Sequence, residues 1–184
     1  MEFPINQDYF ILKEGDERIK YRVYYYDTET HADRELQASI LKDIEKGKRP
    51  KTEEAGVWLA CTINAESTPE SNVFDVSMAQ VLKRWENMAE HENCLIYCFN
   101  LSFEWSYLRP YIYKIMRQVD GELTENSFSI VSNVSQSVVY QIKMRFSGKV
   151  IKIVDLHRLI TGASLGKLAE ELKLDVRKGN LDED

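Results

Sequence analysis

Leu95-Ile96-Tyr97-Cys98-Phe99 narrows most sharply what this chain can fold into. Five almost wholly apolar residues, too few for a helix and ended by Asn100, fit a strand buried on both faces. Such a strand has to lie inside a sheet with cover on each side. A helix is expected to follow, from about Phe103 to Arg117, with a break or kink at Pro110.

The rest of the chain supplies partners for that strand. Ile19 to Tyr26 reads IKYRVYYY, rich in β-branched and aromatic residues, and runs into Asp27-Thr28-Glu29-Thr30, which predicts a strand ending in a polar turn. Gly56 to Ile63 is a second apolar strand. Phe128 to Val131, Val138 to Phe146 and Val150 to Val154 are three more, the last two joined by Ser147-Gly148-Lys149. Ser77 is placed to cap a helix through about Glu90, in which Met78, Val81, Leu82, Trp85 and Met88 recur at helical spacing. A short helix is expected around Leu36 to Ile44, and an amphipathic one from Ser164 to Leu172 with Ser164 as its cap. Strands mixed with helices in this order predict an α/β domain with a mixed central sheet flanked by helices.

With 184 residues and only 8 Gly and 4 Pro, the chain is long enough to bury roughly 70% of the surface it exposes when unfolded. Disulfides are not needed at that size. Cys61, Cys94 and Cys98 lie in apolar runs with no second Cys or His pair to complete a zinc set, and are read as buried thiols in a reducing compartment. The apolar runs fall short of the ~18 residues of a spanning helix, so a cytoplasmic protein is expected, with no membrane partner. A net charge of −6 gives no overall attraction for a polyanion, so nucleic-acid binding would depend on a local groove and metal ions.

Candidate chemistry starts at Asp27-x-Glu29. Two carboxylates two positions apart at a strand end can both reach a divalent cation. Glu104 adds a third where the helix opens after the second buried strand, in Phe99-Asn100-Leu101-Ser102-Phe103-Glu104. Three such charges gathered together raise one another's pKa unless cations neutralise them, so the cluster predicts Mg²⁺ or Mn²⁺. The chemistry that follows is two-metal phosphodiester hydrolysis, with ions about 3.5–4 Å apart.

The order YDTET, FNLSFEWSYL, then IKIVDLHRLITGASLGKLAEELKLDVRKGNLD resembles the exonuclease domain of protein-primed, bacteriophage-type family B DNA polymerases, within the DnaQ-like, RNase H-like superfamily. The resemblance spans roughly Tyr21 to Asp182. It implies an RNase H-like fold and 3′–5′ exonuclease action on single-stranded DNA 3′ ends. By it Asp27 and Glu29 match the first motif, Asp-x-Glu; Asn100, Phe103 and Glu104 match the second, Asn-x-x-Phe-Asp, in which the asparagine and aromatic contact the strand and the acid binds metal. Lys178 and Leu181 match a lysine motif that assists the site. Asp155-Leu156-His157-Arg158-Leu159 falls where the family has Ser/Thr-Leu-x-x-hydrophobic, which makes Leu156 a further strand contact.

The departures bear on activity. Glu104 is one methylene longer than the family's Asp, Asp155 stands where a hydroxyl contacts DNA and repels phosphate there unless the local register differs, and the third motif, Tyr-x-x-x-Asp, is not found before Asp184. The expectation is one exonuclease-like domain, residues 1–184, truncated before that motif. The alternative is a catalytically impaired exonuclease-like phage protein that binds and inhibits a host nuclease or defence complex in the bacterial cytoplasm. Trp58, Trp85 and Trp105 are read as packing residues, Phe103 as either packing or base-stacking, and Lys46 to Lys51 as a solvated loop. No role in catalysis is assigned to His31, His91 or His157.

Overall fold

A computed structural model of the protein describes residues 9–31, 56–64, 74–136 and 138–159. The expected helices around Leu36 to Ile44 and from Ser164 to Leu172, together with Lys178 and Leu181, lie outside those residues.

Among the described residues nine strands form one mixed sheet. In chain order they are β1 (Tyr9–Glu14), β2 (Glu17–His31), β3 (Gly56–Ile63), β4 (Phe74–Asp75), β5 (Cys94–Cys98), β6 (Arg117–Gln118), β7 (Ser127–Asn133), β8 (Val138–Phe146) and β9 (Lys149–Asp155). Spatially the order is β4-β3-β2-β5-β9-β8-β7-β6, with β1 paired to β2. The pairs β2/β5 and β5/β9 are parallel, whereas β2/β3 and β8/β9 are antiparallel. The apolar run therefore sits mid-sheet, with Cys94, Leu95, Ile96 and Cys98 all buried.

Helix α1 (Met78–Ala89) buries Met78, Val81, Leu82, Trp85 and Ala89 along one stripe, as the spacing predicts. Ser77 caps it from an extended conformation, its Oγ accepting from the Gln80 amide at 3.3 Å. Ser77→Ala is expected to lower stability by about 1 kcal/mol, measured by urea unfolding; a loss near zero would show that the cap contributes little.

Helix α2 (Leu101–Ile115) buries Leu101, Glu104, Leu108 and Ile112, and the short α3 (Leu156–Leu159) follows β9. Of the expected break or kink at Pro110, the break does not occur, because α2 is continuous through it. Proline removes one hydrogen bond, and burial of Leu108 and Ile112 on either side holds the helix to the sheet. Ser102 adds an anchor, its Oγ accepting from the Val139 amide at 2.9 Å.

Other boundaries shifted through strand pairing. Strand β2 does not end at Tyr26 but continues through Asp27 and Glu29, because these residues pair with Cys61 and Leu59 of β3. Strand β1 was not anticipated; it folds back on β2 through Gly15-Asp16, with Gly15 at φ +62. The β8–β9 hairpin turns at Ser147 and Gly148, both at positive φ, which matches the right-handed twist of the strands. Ile96, Ile142, Met144, Ile151, Ile153 and Phe128 form the core beneath the helices.

Candidate functional site

Strand alternation decides which residues meet. Tyr26 faces the helices, its ring edge-on to Trp85 at 5.0 Å and its hydroxyl 3.7 Å from the Met78 sulfur. Thr28, two residues on, faces the same way, and its hydroxyl donates to Oε2 of Glu104 at 2.8 Å. Tyr25 lies on the other face beside Tyr97, with ring centroids 6.1 Å apart, and Asp27 has the same phase and is exposed. Glu29 shares that backbone phase; its side chain is outside the described residues.

The middle residue of Asp-x-Glu, rather than either acid, is thus the one that touches Glu104. Glu104 itself is 2% exposed. Burial is the main cause pushing its carboxyl up to about 7; the Thr28 hydrogen bond opposes that rise, and the charge of Asp27 adds to it. The Tyr26 phenol is raised by burial first and by the Glu104 charge second. Burial likewise raises the Cys98 thiol and takes that of Cys94 up to about 12, which keeps both protonated.

The divalent-cation expectation can be tested on this donor set. A two-cation centre needs several oxygens converging on shared ions. Among the described residues no group of three or more His, Cys, Asp and Glu is placed to hold an ion. Glu104 is buried and bonded to Thr28, whereas Asp27, of the opposite phase on β2, is exposed, although its charge still reaches Glu104. The described donors therefore do not fit a two-cation centre.

The start of α2 is built differently. Asn100 occupies the left-handed region, φ 66 and ψ 64, and its exposed side chain makes no capping bond. One turn later Phe103 is 41% exposed, edge-on to Tyr107 at 5.2 Å. Asn100, Phe103 and Glu104 are brought together, two facing outward and one inward. Leu156 is half-buried at the start of α3. Asp155 is buried, so its carboxylate does not stand on the surface where phosphate repulsion was expected. Sequence reasoning missed Thr28 and the inward turn of Asp155; knowing which side of β2 the helices cover would have found the first.

The architecture, a large mixed sheet with α1 and α2 packed on its central strands, is RNase H-like. The same fold occurs in Phi29 DNA polymerase. Its complex with primer-template DNA matches with TM-score 0.62 and 18% identity over 88% of this chain and 25% of that one. Its complex with single-stranded DNA matches with TM-score 0.61 and 18% identity over 88% and 25%. The ternary complex with primer-template DNA and incoming nucleotide substrates gives 0.61 and 18% over 87% and 24%. This chain thus spans about a quarter of the length of that polymerase. No protein-family model and no curated protein matches the chain. Trp85 is fully buried and Trp105 is packed against the core, as expected of packing residues. No described helix is long and apolar enough to cross a membrane.

Proposed function

We propose that this chain is a 3′–5′ exonuclease-type domain of the phage-like family B polymerase lineage that grips the 3′ end of single-stranded DNA at the start of α2, and that cuts it weakly. The observation carrying this reading is the left-handed turn that turns Asn100 and Phe103 outward beside the buried Glu104. An exposed aromatic can stack on a terminal base, and an uncommitted amide can hydrogen-bond to it. Weak cleavage follows from Glu104 being buried and engaged by the Thr28 hydroxyl, with no three acids among the described residues placed to hold an ion. Mg²⁺ or Mn²⁺ remains the cation to test, with Asp27, Glu29 and Glu104 as the residues to vary and Lys178 and Leu156 as further candidates.

The test is incubation with 3′-labelled single-stranded DNA and Mn²⁺, beside Asp27→Ala/Glu29→Ala. Binding with slow nucleotide release is expected, and no release at all would overturn the cutting part. Rapid release that the double variant abolishes would overturn the weak-cutting part, and absence of binding would overturn the whole. Phe103→Ala is expected to weaken binding about ten- to a hundredfold, the range for losing one base–aromatic stack, with unfolding unchanged because the ring is exposed. Anisotropy titration checks it, and an unchanged Kd removes Phe103 from the site.

A second reading, an impaired domain that docks on a host or phage protein, is favoured by one feature. Phe103, Tyr107, Tyr111 and Ile115 recur every four residues along α2, with Phe103, Tyr111 and Ile115 exposed. It would be preferred if single-stranded DNA failed to bind while a partner protein protected this stripe from solvent exchange.

A further inference from the structure

Asn100 and Ser77 both begin helices, and they do so in opposite ways. Ser77 is extended at φ −157 and ψ 154 and caps α1 with its own hydroxyl, the usual arrangement. Asn100 is left-handed, a conformation disfavoured for any side-chain-bearing residue although asparagine tolerates it, and its amide group takes no part in capping. Strain of this kind persists only where the surroundings impose it.

What imposes it here is Asp155. Its Oδ1 accepts from the Asn100 amide at 3.1 Å and from the His157 amide at 3.0 Å. The residue is 2% exposed and lies in register with Cys98, two residues before Asn100, on the parallel strand β9. A carboxylate removed from water this thoroughly needs donors, and the two amides provide them. One oxygen thereby ties the β5–α2 turn to the β9–α3 turn, and the His157 ring closes the same junction by lying edge-on to Phe99 at 5.0 Å. The Phe103 amide donates to the Asn100 carbonyl at 3.0 Å, so the turn at Asn100 sets where α2 begins and which way Phe103 projects.

We infer that Asp155 is a positioning residue: by holding Asn100 in the left-handed turn, it aims Asn100 and Phe103 at the 3′ end of the strand. This rests on the reading of the site given above. The bland alternative is that Asp155 only caps α3 through His157.

The experiment uses the full chain with Asp155→Ala, Asp155→Asn and Asn100→Gly, alone and combined. Binding is read by anisotropy with a 5′-fluorescein oligothymidylate ending in a 3′-hydroxyl or a 3′-phosphate. Asp155→Ala should weaken binding of the 3′-hydroxyl strand about ten- to a hundredfold and erase the preference between the two ends, as expected for loss of a hydrogen-bonded anchor. Asp155→Asn keeps the accepting oxygen and should stay within about threefold of the parent. Glycine adopts the left-handed turn unaided, so Asp155→Ala should destabilise the Asn100→Gly protein less than the parent. Should Asp155→Ala alone not fold, folding of the double variant supports the inference and failure of both overturns it. Equal destabilisation in the two backgrounds, or unchanged binding by a folded Asp155→Ala, overturns it too. If the unaltered protein shows no 3′-end binding, the functional reading fails, and the coupling between Asp155 and Asn100 alone decides whether the acid sets the turn.

Discussion

Replacing Trp85 with alanine is expected to lower the stability of this domain by about 4 kcal/mol, a large share of what a domain of this size has to lose. Trp85 has no exposed surface and is the bulkiest of the fully buried side chains among the described residues. Its ring meets Tyr26 edge-on and its indole N–H donates to the Thr62 hydroxyl at 3.1 Å, so one side chain pins α1 to both β2 and β3. Alanine would leave a cavity beneath those contacts and two polar groups, Thr62 and the Tyr26 hydroxyl, in altered surroundings. Trp85→Phe should lose less, because the ring contact survives and only the hydrogen bond goes. Urea unfolding followed by far-ultraviolet dichroism gives both values. A loss below about 1 kcal/mol for alanine would mean that α1 is not anchored through this residue.

Much of this arrangement is legible in the sequence because the signals are local. Strand β3 occupies the predicted Gly56–Ile63, and α1 begins after Ser77 because the cap, the apolar spacing and the flanking turn agree. Strand β5 was recognisable because no other element suits so short an apolar run. The misreadings arise where a neighbour distant in sequence overrides a local cue. Asp27-Thr28-Glu29 looks like a turn by composition, yet β3 supplies the pairing that extends the strand through it. Pro110 looks like a break, yet a helix packed on both sides of it tolerates one lost hydrogen bond.

The site shows the same division. That Asp27 and Glu29 share one face of β2 follows from alternation alone. Which face α2 covers does not, since that depends on how the β5–α2 turn directs the helix. The left-handed Asn100 sends α2 over the face carrying Tyr26 and Thr28. The motif places Asp155 where a hydroxyl would meet DNA, but a motif gives position without orientation. The burial of Asp155 comes from the register of β9 against β5, which no single-sequence pattern encodes.

Glu104→Gln should stabilise the metal-free protein by up to about 3 kcal/mol at pH 8 and leave it nearly unchanged near pH 4.5, the energy following from a rise of the carboxyl from 4.5 to about 7. The sign follows from proton counting. Between those two values the folded state holds a proton on Glu104 that the unfolded chain has released, so the folded state binds more protons and stability declines as pH rises. Above about 7 both states are ionised and the full penalty of a buried carboxylate remains. Glutamine has no charge to bury at any pH, and its amide oxygen can still accept from the Thr28 hydroxyl. The difference between parent and variant cancels the titration of groups that Glu104 does not touch electrostatically, including Glu14, whose burial raises its carboxyl but whose contacts with Lys143 and Lys152 leave it lowered. Urea midpoints from pH 4.5 to 8.5 in chelator give the curve. Parallel curves for the two proteins would show that Glu104 titrates normally and that the pocket it shares with Thr28 is open to water. Repeating the series with Mn²⁺ connects stability to the site. A cation held by Glu104 would restore the parent's stability at high pH and leave the glutamine variant untouched, whereas a cation held by Asp27 and Glu29 alone would raise both proteins, the parent slightly more because the charge of Asp27 reaches Glu104. The second outcome is expected, because Asp27 is exposed while Glu104 is buried and bonded to Thr28.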